Sequence, residues 1–143
     1  MIRCPCAPPY PYSHHALGPS LTSSRDALAK FTVEDFKKAG LPDWVRGRVA
    51  QIAQHEASHV KLLTAALGKD AVQPCKYGFP YTDPKSFVSL AYFIENIGVS
   101  AYAGANQFIE DPTYSTIAAT ILSVEARHNG FLGGPVQTLD DWT

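Results

Sequence analysis

The stretch Val45–Ala66, VRGRVAQIAQHEASHVKLLTAA, decides the fold. Val45, Val49, Ile52, Glu56, His59, Leu63 and Ala66 recur at steps of four, three, four, three, four and three, so they share one face of a helix in bundle register. That stripe is apolar except at its middle, where Glu56 and His59 stand. Asp43 is a candidate cap before it and Gly68 a stop after it.

Working outward, the same alternation returns twice. Between Pro84 and Glu110 the stripe is Val88, Ala91, Glu95, Gly98, Tyr102, Ala105 and Ile109, with Glu95 its only charge. Its small members Ala91, Gly98 and Ala105 allow a neighbouring helix to approach closely. Between Asp111 and Leu132 it is Tyr114, Ala118, Ile121, Glu125, His128 and Leu132, again polar only in the middle, and Pro112 is acceptable in a first turn. The link Glu110-Asp111-Pro112 is tight, which makes these two helices antiparallel neighbours. The link from Gly68 to Pro84 is long. A helix of about 25 residues is roughly 37 Å long, and about 16 extended residues reach roughly 50 Å. That link can therefore run the length of a bundle and leave the helices on either side of it parallel. The expected fold is all-α: an up-down bundle with one long crossover, the ferritin-like arrangement.

The ends of the chain read differently. Residues 1–24 hold Pro5, Pro8, Pro9, Pro11 and Pro19 among Ser, Thr and Gly, and are expected to form a disordered arm. Residues 25–31 suit one or two helical turns. Thr32 with Asp35 reads as a cap, giving a short helix over 33–39 that stops at Gly40. The helical domain is placed at 25–132. Gly133-Gly134-Pro135 is expected to end the last helix, leaving 133–143 as a loose tail. No repeat of fixed period and no strand alternation is present.

Composition narrows the function classes. With 143 residues, 45% hydrophobic and 17% charged, the chain has one-domain size and can bury a core. A net charge of -1 gives no electrostatic basis for binding nucleic acid or an anionic membrane. No apolar run is long enough to span a bilayer. Residues 1–18 contain no apolar segment of the signal-peptide kind. Cys4, Cys6 and Cys75 are odd in number and suggest no disulfide framework, with Cys4 and Cys6 read as unpaired thiols.

The chemistry lies in the stripes. Glu56 and Glu125 are each followed three residues later by a histidine, His59 and His128, and positions i and i+3 share a helix face. With Glu95, five side chains from three helices converge: Glu56, His59, Glu95, Glu125 and His128. Buried ionised carboxylates cost several kcal/mol or more unless paired, and no Lys or Arg falls on any stripe. Metal ions are the expected partners, and oxygen and imidazole ligands suit iron, with manganese or zinc also possible. Di-iron and di-manganese carboxylate bundles use a Glu from each of two helices and Glu-x-x-His from the other two, so this set matches five of six ligands. If active, such a site would oxidise iron or use O2. Tyr102, two turns after Glu95, fits a supporting place or plain packing. A competing motif overlaps: His55-Glu56-Ala57-Ser58-His59 reads H-E-x-x-H, in which His55 and His59 would bind zinc and Glu56 would act as a general base. The extended form needs a Gly and a His where this chain has Leu62 and Ala65. The other alternative is a stress-protective bundle that binds no metal.

The segments Gln51-Ile-Ala-Gln-His-Glu-Ala-Ser-His59, Tyr77-Gly-Phe-Pro-Tyr-Thr-Asp83, Glu95-Asn-Ile-Gly-Val-Ser-Ala-Tyr-Ala-Gly-Ala105 and Val124-Glu-Ala-Arg-His128 together resemble the ferritin-like domain family of fungal starvation- and stress-responsive and plant desiccation-related proteins. The resemblance runs from Phe31 to Leu132. It implies a ferritin-like bundle, a di-iron-type site, a link to stress and, for many members, secretion. The chain departs from that family at its start. A long first helix supplying another Glu is expected there, whereas no Glu precedes Glu34. The chain thus resembles an N-terminally truncated member, its first helix missing or degenerate. Its metal site would be short of one carboxylate, and its exposed face would favour a homo-oligomer that closes the bundle.

Overall fold

The computed structural model describes residues 17–71 and 75–136. Five helices follow in order: α1 Leu17–Lys30, α2 Val33–Lys38, α3 Val45–Leu67, α4 Pro84–Asn106 and α5 Pro112–Val136, with one 3-10 turn at Gly68–Asp70 after α3. Among the described residues no helix is long and apolar enough to cross a membrane.

Local sequence accounts for most boundaries. Thr32 and Asp35 form a reciprocal capping box at the start of α2, and Asp83 with Ser86 forms another at α4, where Pro84 sits in the first turn. Asp111 caps α5 by accepting from the backbone N–H of Thr113 at 2.7 Å and of Tyr114 at 3.3 Å. Gly68, at φ 54°, ends α3 in the conformation that favours glycine. Asp43 does not cap α3. Its N-cap is Trp44, and that cap makes no side-chain hydrogen bond.

The long helices pack as a bundle. His55 and His59 of α3 meet His128 and Glu125 of α5, so these two run antiparallel. Asn129 of α5 reaches the Tyr92 carbonyl of α4, and Ser115 reaches Asn106, so α4 and α5 are antiparallel too. The helices α3 and α4 are therefore parallel across the diagonal, joined by the long link. Ser20 of α1 lies at Glu95 and Lys30 at the Tyr81 carbonyl, which makes α1 antiparallel to α4. The result is the all-α, up-down arrangement with one crossover expected of a ferritin-like bundle.

The N-terminal region corrects the sequence reading. Helix α1 begins at Leu17, inside the stretch expected to be an arm; residues 1–16 lie outside the described residues. Pro19 and Gly18 sit in its first turn, where no backbone donor needs a partner within the helix. The inward face is Ser20, Ser23, Ser24 and Ala27, all buried. These small residues make a helical stripe that is not apolar by type, which is why hydrophobic periodicity misses it. Within the described residues the first helix spans 14 residues and carries no Glu, but it is not missing.

The crossover clamps α1 in place. Tyr77, Phe79 and Tyr81 stack in series, 5.9 and 6.0 Å between centroids. Tyr81 donates to the Asp26 carboxylate at 2.6 Å, and a Cβ on Gly18 would lie 2.6 Å from the Tyr77 hydroxyl. Arg46 of α3 donates to the carbonyls of Phe31 and Leu28, satisfying acceptors at and just past the end of α1. Cys75, on the same link, is disulfide-bonded, although the odd cysteine count suggested no disulfide framework; Cys4 and Cys6, read as unpaired thiols, lie outside the described residues.

At the other terminus α5 continues to Val136, past the Gly-Gly-Pro expected to stop it. Pro135 falls in the last turn, so it forfeits one backbone hydrogen bond next to a helix end. Residues 137–143 of the expected tail lie outside the described residues.

Candidate metal centre

The three stripes deliver their polar residues to one buried layer. Glu56, Glu95, Glu125 and His128 are all almost fully buried, and one ligand atom from each lies within 4.8 Å of the others. His59, the fifth expected residue, stands beside this group: its Nδ1 is 3.3 Å from Glu56 Oε1 and 3.3 Å from Glu125 Oε1. His128 Nδ1 is 3.2 Å from Glu95 Oε2 and 3.4 Å from Glu56 Oε1. Each imidazole therefore lies between two carboxylates.

These contacts leave donor atoms unspent. Glu56 Oε1 and Oε2, Glu125 Oε1 and His59 Nδ1 are buried without an aligned hydrogen-bond partner. Buried polar atoms are nearly always satisfied, and these four have only the ion-pair contacts at 3.3–3.4 Å, an arrangement compatible with a further group in the layer. Oxygen and imidazole donors in this proportion fit iron, manganese or zinc, so the residues present fit a metal ion.

Neighbours shape the layer. Gly98 of α4 passes directly under Glu125: a Cβ there would lie 2.9 Å from Glu125 Oε2. Ser20 of α1 donates its hydroxyl to Glu95 Oε1, which leaves Oε2 for His128. Ser20 is thus the residue by which α1 reaches the layer, and its part was not legible in a Pro- and Ser-rich stretch. Tyr102 is buried one turn from Gly98, and burial together with the charges of Glu125 and Glu56 pushes its hydroxyl pKa well up.

The layer can balance its own charge without metal. Burial pushes Glu125 up to about 8, with its hydrogen-bonding contact to His59 opposing and the charge of Glu56 adding. Burial also acts on His59 and His128, but their carboxylate neighbours outweigh it and raise both to about 9. Burial likewise opposes ionisation of Glu56, and His128 and His59 overcome it to hold that carboxyl below its ordinary range. These contacts favour the charged form of His59 and His128 and the neutral form of Glu125. Beside the metal ions expected from the sequence, protons on the histidines are thus a second means of offsetting the carboxylates.

His55 does not join His59 around a common point. It is exposed, and its Nδ1 lies 3.0 Å from His128 Nε2 across the α3–α5 interface. The H-E-x-x-H zinc arrangement, with His55 and His59 as paired ligands, is therefore not formed.

Known proteins place this geometry in context. A family model described as a ferritin-like domain matches residues 25–137. The chain is similar to Protein rds1 of Schizosaccharomyces pombe, 26% identical over 100 residues, covering 70% of this chain and 25% of that protein. It is also similar to desiccation-related protein PCC13-62 of Craterostigma plantagineum, 24% identical over 119 residues, covering 67% of this chain and 37% of that protein. The match thus spans well under half the length of either relative.

Proposed function

The chain belongs to the ferritin-like domain family, and on that premise we propose that its buried glutamate–histidine layer binds a divalent metal ion, iron above all, in a stress-associated protein. The observation that carries this reading is the set of four buried donor atoms without an aligned partner, contributed by Glu56, Glu125 and His59. Glu56, Glu95, Glu125 and His128 would hold the ion, with His59 turned into the same layer from α3. Iron held there supplies one-electron redox chemistry, including its own oxidation. The chain's own part is to bury the ligands, to fix Glu95 through Ser20 and to keep Glu125 against Gly98. Manganese and zinc suit the same donors.

A metal-free, stress-protective bundle is the second reading, favoured by the internal charge balance between the two histidines and the glutamates. One experiment separates the two. The purified chain is loaded anaerobically with Fe(II), freed of excess and analysed for metal beside a Glu95→Ala/Glu125→Ala double variant. Near-stoichiometric iron in the native chain, lost in the variant, is the expected result. A native chain that retains no more iron than the variant would transfer the function to the metal-free reading.

A further inference from the structure

The two nitrogens of His128 face different surroundings. Nδ1 points inward, 3.2 Å from Glu95 Oε2 and 3.4 Å from Glu56 Oε1. Nε2 points outward, 3.0 Å from Nδ1 of His55. The two ring planes lie 13° from parallel with centroids 5.3 Å apart, so the rings meet edge to edge through these nitrogens. His55 stands on α3 one residue before Glu56, with its own ring exposed to solvent.

A neutral imidazole offers a lone pair at only one nitrogen, and the other nitrogen carries the proton. For His128 to present Nδ1 to an ion in the layer, its proton must sit on Nε2, and that N–H needs an acceptor. Nδ1 of His55 lies at hydrogen-bonding distance from it. A partner of this kind sets which nitrogen binds and how the ring is turned.

We propose that His55 is a positioning residue of the metal centre: its Nδ1 accepts the Nε2–H of His128 and holds that ring with Nδ1 turned to the ion. The proposal rests on the metal-binding reading above and extends it beyond the buried layer, to a residue that the helical stripes leave out. His55 never touches the ion. It also gives the histidine of the overlapping H-E-x-x-H motif a part unlike the zinc-ligand part that motif suggests.

The test uses Zn(II), which is diamagnetic and does not change oxidation state. Zn(II) is titrated calorimetrically into the full chain and into His55→Ala, His55→Phe and His55→Gln variants. His55→Phe keeps an aromatic ring without an acceptor, whereas His55→Gln restores an acceptor without the imidazole. Loss of an outer hydrogen-bond partner weakens metal affinity by about 10- to 100-fold, and that loss is expected for Ala and Phe, with Gln recovering most of it. A second readout is the nitrogen NMR spectrum of His128 in the Zn(II)-loaded chain. In the native chain it should show Nδ1 bound to metal and Nε2 protonated, and in His55→Ala the Nε2 proton signal should broaden or vanish. Because His55 is exposed, thermal melts of the metal-free variants should match the native chain, separating positioning from folding. Equal Zn(II) affinity in all four proteins would overturn the part given to His55 and leave the metal reading standing. So would a Phe variant that binds like the native chain, since a ring without an acceptor would then suffice. A native chain that binds no Zn(II) would overturn the metal reading itself and the proposal with it.

Discussion

At one end of the bundle α1, α2 and the crossover meet α3 and α4, and Phe31, Phe36, Val45, Val49, Tyr81 and Phe87 close over an apolar core. At the other end, beyond the glutamate–histidine layer, the buried apolar residues among those described are Tyr102 of α4 and Ala118 and Ile121 of α5, with Leu63 and Ile109 half-covered. Phe108 there is 77% exposed and Tyr114 48%. The difference lies in the covering and not in the stripes, which keep their phase through both ends. Described α1 starts at Leu17, and Ser20 already lies level with Glu95, so within the described residues α1 covers the closed end and stops at the metal layer. Leu63, Ala66, Ala105 and Tyr114 belong to stripes whose members nearer the layer are buried, yet they emerge to half or full exposure. The comparison assigns stability to the closed end and chemistry to the layer that borders it.

The sharpest way to break this comparison is to truncate one side chain on each side of the layer. Phe87 is 0% exposed and meets the Tyr81 ring edge-on at 5.3 Å. Phe87→Ala should cost about 3–5 kcal/mol, the range for a large aromatic deleted from a packed core. Ile121 is equally buried but has a thin shell around it. Ile121→Ala should fall at the low end of the range for its type, about 2 kcal/mol, because its surroundings can collapse or admit water. Urea unfolding of the metal-free chain measures both. Equal costs would mean that the two ends are packed alike and that the exposed residues beyond the layer mislead.

A pH series tests the layer between the two ends in the metal-free chain. His59 and His128 rise from an ordinary 6.5 to about 9, so the stability they contribute is full below 6.5 and lost as pH climbs through about 9. Glu125 rises from 4.5 to about 8, and the stability tied to its proton is likewise lost as pH climbs through about 8. Glu56 is lowered, so its contribution is present above 4.5 and lost as pH falls below that value. The urea midpoint should peak near pH 5 and decline towards pH 9, most steeply between 6.5 and 8, where all three raised groups act together. The three share contacts and titrate as a set, so the decline is expected to be smaller than the loss at Phe87. A flat profile from pH 5 to 9 would show that the layer is not balanced by protons. Zn(II) affinity should run the other way and rise with pH, since the ion competes with those protons.

Which features were legible follows from which signals each element carried. The stripes of α3, α4 and α5 could be read because apolar residues at alternating steps of three and four are a helix signal on their own. A Glu or Glu-x-x-His at their centres then stands out as polar where packing demands apolar. Helix α1 could not be read that way. Its buried face is three serines and an alanine, its first turn holds Gly18 and Pro19, and what secures it is Tyr81, Tyr77 and Arg46 from elsewhere in the chain. The extension of α5 past Gly133 and Gly134 was hidden by residues that usually stop a helix. The disulfide at Cys75 was hidden by an odd cysteine count, which argues against a complete framework but not against a single bridge. His55 lies one residue off the stripe, and no sequence period shows that its ring reaches the outer nitrogen of His128.

Gly98→Ala is the smallest change and probes the layer most directly. Within a helix, alanine in place of glycine is favoured by about 1 kcal/mol. The added Cβ would lie 2.9 Å from Glu125 Oε2, the far end of a flexible side chain and not a backbone atom, so the carboxylate can swing aside. Gain and crowding should nearly cancel, leaving unfolding free energy within about 1 kcal/mol of the native chain, in contrast to Phe87→Ala. Metal binding should not be spared, because the displaced atom belongs to one of the four groups that lie together within 4.8 Å. Calorimetric Zn(II) titration beside urea unfolding reads both quantities on one protein. Weakened binding with unchanged stability would show that the close approach of α4 to Glu125 serves the ligand set. Unchanged binding would mean that Glu125 can rotate and still reach the ion, and the glycine would then matter only for how closely the two helices pack.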